Sequence, residues 1–215
     1  MFGMKYKVDK YKIFSKKRKQ EVEILMFPKR KYMWVFDTHS KDLGFMIDGN
    51  KEAYMDLEIA YAILAQDPSK IIFFSTKYCD GGEQCYSDSI NLVMIRPEMQ
   101  FRRSEWFELK NKLDHKHWTG SYTFNYDMKK MNDYWEKLDQ QWLAAQWEKR
   151  AGEMYLEEIL GDTAFIVIPR YLCYSTHYHV STGMREIDID SNKYSWCWIG
   201  RILNDEAIAE LSAVS

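Results

Sequence analysis

The sequence predicts an α+β fold: a mostly antiparallel sheet with hairpins at both ends of the chain, packed against one long and several short helices. Three observations carry this. KYKVDKYKIF (5–14) and EVEILMF (21–27) alternate polar and apolar residues with a period near two, the signature of half-buried strands. Short all-apolar runs, IIFFS (71–75), NLVMI (91–95) and AFIVI (164–168), read as central strands. Between them lie stretches with apolar residues three and four apart, which is the helical period. Strands mixed with helices in this order point to α+β.

In chain order, SKKRKQ is the polar turn of the first hairpin, and Pro28 with the KRK run ends it. YMWVFD (32–37) is a buried-type strand, and LGFMI (43–47) returns beside it. After the Asp48-Gly49-Asn50 turn, residues 51–66 form an amphipathic helix with Tyr54, Leu57, Tyr61 and Leu64 on one stripe, stopped by Asp67-Pro68. A Gly-, Asp- and Ser-rich loop spans 76–89, without the spacing of a phosphate cradle. Ser104 caps a short helix through Leu113, and SYTFNY (121–126) is a strand. Asp127 starts a long helix with its stripe through Met128, Met131, Trp135, Leu138, Trp142 and Ala145, broken or kinked at Ala151-Gly152. Pro169 closes the 164–168 strand. MREIDID (184–190) and 194–202 are expected to pair as a second hairpin around Ser191-Asn192, and a helix over 204–213 follows. One domain covers 1–215, with a subdivision, if any, near 96–104.

The composition allows a packed core: 46% of residues are hydrophobic and 16% aromatic, with only 10 Gly and 4 Pro. No apolar run reaches the roughly 20 residues that span a bilayer, so no membrane partner is expected. The first residues alternate charge with aromatics, unlike a secretory leader. Cys79, Cys85, Cys173 and Cys197 lack CxxC spacing and read as free thiols, which suits the cytoplasm. Residues 1–31 hold eleven Lys or Arg against Asp9, Glu21 and Glu23, a local +8 in a chain of net charge −2, leaving about −10 elsewhere. That asymmetry would steer an anionic partner. Nucleic acid comes into question through this basic hairpin alone.

Four of the five histidines form two His-x-His segments, HKHWTG (115–120) and HYHVSTG (177–183). On a strand, residues two apart share a face. His117 with Thr119, and His179 with Ser181, would then offer two imidazoles and two hydroxyls to a phosphodiester, one ring as base and the other as acid. A metal-dependent alternative uses His177 and His179 with Asp188 and Asp190 of the acidic row that Glu186, Asp188 and Asp190 would form on one face of the MREIDID strand, joined by Asp37 and His39 at a strand end. Imidazoles and carboxylates suit Zn or Mn. A third set is for partner binding: Trp135, Trp142 and Trp147 of the long helix, and Lys16, Lys17, Arg18 and Lys19 of the basic turn.

Two resemblances accompany these readings. The His-Trp-Thr of 117–119 and the His-Val-Ser of 179–181 resemble the paired His-apolar-Ser/Thr tripeptides of 2H phosphoesterases, which implies metal-free phosphodiester chemistry at those four polar residues. The family's apolar residue after the hydroxyl is replaced here by Gly120 and Thr182. Over 33–107, the MWVFD strand, LGF, a helix, IIFFS and SEWF resemble a bacterial domain family without an assigned activity, which implies a fold more than a function.

The leading expectation is an intracellular protein of bacterial or phage origin that binds another macromolecule, as an inhibitor or immunity-type factor, and needs no cofactor. The alternative is a hydrolase of phosphodiesters.

Overall fold

The computed structural model describes residues 4–38, 45–75, 90–113, 118–138, 156–190, 194–197 and 199–213. The elements are β1 (Met4–Ser15), β2 (Gln20–Met26), β3 (Met33–Asp37), β4 (Phe45–Asn50), α1 (Lys51–Gln66), β5 (Lys70–Phe74), β6 (Asn91–Ile95), α2 (Arg103–Leu113), β7 (Ser121–Tyr126), α3 (Met128–Glu136), β8 (Leu156–Leu160), β9 (Thr163–Val167), α4 (Arg170–Asp190), β10 (Tyr194–Cys197), β11 (Gly200–Leu203) and α5 (Asp205–Ala213).

The α+β class holds. Seven strands form one sheet in the order β7-β1-β2-β5-β6-β9-β8, and four form another in the order β10-β11-β4-β3. The expected antiparallel bias is only partial. The pairs β2–β5, β6–β9 and β11–β4 are parallel, so both sheets are mixed. The β1–β2 hairpin forms as read, with Ser15 opposite Gln20. β1 is long enough to serve two partners: its first half pairs with β7 and its second half with β2, and Asp9 belongs to both ladders.

The strand alternation sorts side chains to two faces of the large sheet. Leu25, Phe27, Ile72, Phe74, Leu92, Met94, Ala164 and Ile166 face α1 in the main core. Val22, Ile24, Ile71, Phe73, Val93, Ile95 and Phe165 face the other way, onto Trp106, Leu109 and Leu113 of α2. Trp106 is 1% exposed and meets the Phe165 ring edge-on. Residues 96–104 pass through a single 3-10 turn, Pro97–Met99, into α2, which packs on this same sheet.

α1 is the centre of the molecule. It was expected to be amphipathic, yet every residue from Ala53 to Ala65 except Met55 is buried. Residues of both sheets share its core, among them Met33, Val35, Phe45, Ile47 and Ile202 of the small sheet, and the helix at 170–190 packs along it. A helix apolar on all faces belongs in an interior. Asn50 caps its start by accepting from Ala53 N at 3.0 Å. No basic residue stands in its last turn. Arginines from elsewhere serve instead: Arg96 Nη1 donates to Leu64 O at 2.9 Å and Arg170 Nε to Ala65 O at 3.1 Å.

The largest correction concerns 170–190. The expected 184–190 strand is the last third of α4, and the C-terminal hairpin is β10–β11. The helical stripe is legible in hindsight. Leu172, Cys173, Thr176, His177, Val180, Ser181 and Met184 are buried at steps of one, three and four. Three of those seven are polar, which hid the stripe. The alternation of MREIDID is a coincidence on the partly exposed end of that helix. α4 packs most extensively on α1, and also on α3 and β10. The long helix expected from Asp127 is described as α3 only to Glu136, with Asp127 capping it at Lys130 N. β8 takes up 156–160, beyond the expected break.

Candidate functional site

The helical course of 170–190 decides the geometry of the histidines. Residues two apart on a helix point roughly 200° from each other. His177 is accordingly buried at 0% exposure, while His179 is exposed, with the Tyr178 ring edge-on to it. The premise of a shared strand face for His177, His179 and Ser181 is therefore overturned. Ser181, four residues from His177, shares its inward face and not that of His179.

Thr119 is elsewhere. Its Oγ1 donates to Lys10 O at 2.7 Å and accepts from Lys12 N at 3.0 Å, extending the β7 edge along β1. Ser181 hydrogen-bonds Glu58, which is also the partner of Tyr126. Tyr126 stands opposite Met4 of β1, six residues from Lys10. Six residues of strand are roughly 20 Å. The two hydroxyls expected to hold one phosphoryl group thus sit toward opposite ends of β7. His117 and His115 lie outside the described residues.

Of the metal set, the structure describes the side chains of the two α4 histidines alone. His177 is inside and His179 outside. Asp188 and Asp190 fall in the last turn of α4 and Asp37 at the end of β3, with their side chains outside the described set, as is His39. Glu186, from the same acidic row, accepts from Ser195 Oγ at 3.1 Å. Among the described residues no three His, Cys, Asp or Glu side chains group as metal ligands.

What the fold does bring together is a buried polar cluster that the sequence reading did not contain. Glu58 of α1 is 1% exposed. The Tyr126 hydroxyl stands 2.5 Å from Glu58 Oε1 and 2.9 Å from His177 Nε2, and Nε2 is 3.4 Å from Glu58 Oε1. Burial pushes the Glu58 carboxyl up to about 7, against the opposing pull of Tyr126, Ser181 and Arg185. Burial also pushes the His177 imidazole down to about 4. The contact is therefore between a neutral ring and a carboxyl that titrates near neutrality, not a formed ion pair. Tyr126 is held protonated by burial and by the adjoining Glu58. One signal was available in the sequence. Asp56 and Glu58 are the only charges between Ala53 and Ala65, so a helix buried all round must bury both. Asp56 meets a different set: Arg30 Nε at 2.5 Å, Arg30 Nη2 at 3.0 Å and the Tyr6 hydroxyl.

At the surface, Trp135 is half-buried against the main core and 6.3 Å from the Tyr178 ring, so it is not a free anchor. Trp142 and Trp147 lie outside the described residues. In the basic turn, Arg18 is committed to Glu105 and lies over the Phe101 ring, and Lys17 donates to Ser104. Lys16 and Lys19 remain exposed. Among the described residues the exposed indole is one not singled out above, Trp118, at 57% exposure. Its Nε1 donates to Asp9 Oδ1 at 2.9 Å. Compared with known proteins, the chain matches no family model, no curated protein and no solved structure.

Proposed function

We propose that this chain acts by binding another protein, as an inhibitor or immunity-type factor of a bacterium or phage, working in the cytoplasm. The observation that supports this reading best is Trp118. An indole 57% exposed is costly to leave in water, and this one is held in place by its bond to Asp9. A large aromatic, ordered before contact, loses little entropy on binding and is the usual anchor of an interface. Asp9 has the same strand parity as Tyr11 and Ile13, which pack toward α2, so Trp118 sits at the margin of that face. Lys5 and Lys7, of the same parity, are exposed there and have no carboxylate partner among the described residues. Phe107, on the outer side of α2, adds a second exposed ring at 51%. An apolar anchor rimmed by lysines suits an acidic protein surface.

The hydrolase reading finds less support, because Thr119 and Ser181 are both committed to structural hydrogen bonds far from each other. The test is a comparative capture from nuclease-treated bacterial lysate with wild type, Trp118→Ala and the Lys5→Glu, Lys7→Glu double variant. The expected result is a protein recovered by wild type and reduced at least tenfold by each variant, with unchanged thermal melts. Equal recovery by all three, or recovery only without nuclease, overturns the proposal.

A further inference from the structure

Glu58, Tyr126 and His177 come from three elements, α1, β7 and α4, and meet away from the exposed surface. The Tyr126 oxygen lies within hydrogen-bond distance of both Glu58 Oε1, at 2.5 Å, and His177 Nε2, at 2.9 Å. A phenol carries one proton and can donate to only one of them at a time. His177 Nδ1 is buried and has no hydrogen-bond partner among the described residues.

Two neutral-ring arrangements run the chain of donors through Tyr126 in opposite directions. In the first, a protonated Glu58 donates to Tyr126, Tyr126 donates to Nε2, and the ring proton is on Nδ1. In the second, the Glu58 carboxylate accepts from Tyr126, the Tyr126 oxygen accepts from Nε2–H, and Nδ1 is bare. We propose that the trio is a proton relay whose hydrogen-bond polarity reverses when the cluster loses one proton, so that the lock between α1, α4 and the end of β7 exists in two protonation-dependent forms. The step balances. The Glu58 O–H bond breaks as Tyr126 takes that proton, Tyr126 passes its former proton to Nε2, and the Nδ1–H bond breaks with its proton leaving to solvent.

The surroundings support both forms. Arg185 and Ser181 of α4 favour the carboxylate. Asp127, just past β7, opposes a tyrosinate, so Tyr126 keeps a proton throughout. Asp56, also on α1, is engaged by Arg30 and Tyr6, and His179 is outside. Ser181 is a secondary reporter. Its hydroxyl serves the carboxylate in the second form, and in the first it can turn to Met128 Sδ at 3.6 Å, which carries the change toward α3. With Glu58 near 7 and His177 near 4, the exchange falls close to neutral pH and the doubly protonated ring is avoided there. The inference is independent of what the surface binds.

The test is imidazole nitrogen NMR on histidine-labelled full-length protein, titrated from about pH 5 to about pH 9, the range that brackets histidine chemistry. The expected result for His177 is a neutral ring throughout, as the Nδ1–H tautomer at low pH and the Nε2–H tautomer at high pH. Glu58→Gln, which has no titratable proton, should hold one tautomer at every pH. Tyr126→Phe should uncouple the ring and leave one pH-independent tautomer. A single tautomer across the wild-type titration, a doubly protonated ring at about pH 6, or a persisting switch in folded Glu58→Gln overturns the proposal. If neither variant folds, the wild-type titration decides it alone.

Discussion

Arg96, at the end of a central strand, donates from Nη1 to the carbonyl of Leu64 at 2.9 Å and so closes the C-terminus of a helix 32 residues earlier in the chain. The guanidinium is almost wholly buried, and its Nη2 reaches the more exposed Glu98 carboxylate at 2.5 Å. This charge does for α1 what its own sequence does not. Replacing it with Met should cost about 2–4 kcal/mol, because the Leu64 carbonyl is orphaned inside and the helix end keeps only Arg170 of its two arginines. Urea unfolding monitored by circular dichroism measures this. A loss under 0.5 kcal/mol, the size expected of a surface change, would show that the helix end is satisfied otherwise.

Gly200 sets how closely the two inner strands of the small sheet approach. A Cβ there would lie 1.8 Å from Ile47 O, and the backbone φ is +154°. Gly200→Ala should separate β11 from β4 and destabilise by more than about 3 kcal/mol. Gly120, at φ +142° with nothing within 4 Å, is the control. Its Ala variant should cost about 1–3 kcal/mol, from backbone strain alone. Paired thermal melts would distinguish contact from conformation.

The buried carboxyl and imidazole make opposite pH predictions. Glu58 is raised from 4.5 to about 7, so its contribution to stability is present below pH 4.5 and is lost as pH rises toward 7. His177 is lowered from 6.5 to about 4, so its contribution is present above pH 6.5 and is lost as pH falls toward 4. In their overlap the two slopes cancel, each being at most about 1.4 kcal/mol per pH unit. His177→Phe should unmask a fall in stability as pH rises through that window. Glu58→Gln should unmask a rise. Denaturant midpoints over the window give the sign directly, and matching profiles in both variants would refute the assignment.

Trp106 closes the second core, against Phe73, Phe101 and Phe165. Trp106→Ala should cost about 3–5 kcal/mol. Trp118→Ala should leave the unfolding midpoint nearly unchanged, since that side chain is 57% exposed. Two tryptophans twelve positions apart should thus differ by most of the value of a core residue, in one denaturation experiment.

The first hairpin, the strands at 71, 91 and 121, and the helices at 51 and 104 were legible because their patterns are local and strong. The helix at 170 was not, because its buried stripe carries Thr, His and Ser in place of aliphatic residues. Polar groups at core positions look like surface until their partners are known. The same misreading produced the histidine site. A strand would have aligned His177 with His179, and a helix divides them. Glu58 went unremarked for the converse reason: a charged residue in an apolar helix reads as its wet face unless all faces are covered.

From the sequence alone came the α+β class, the apolar strands and the charge asymmetry of the first 31 residues, since each depends on the order of neighbouring residues or on composition. The parallel pairings, the all-round burial of α1 and the meeting of Glu58, Tyr126 and His177 belong to the tertiary structure. Those three residues are separated by 68 and 51 positions. No local period encodes such a meeting, because it arises only when α1 and α4 pack together beside the end of β7.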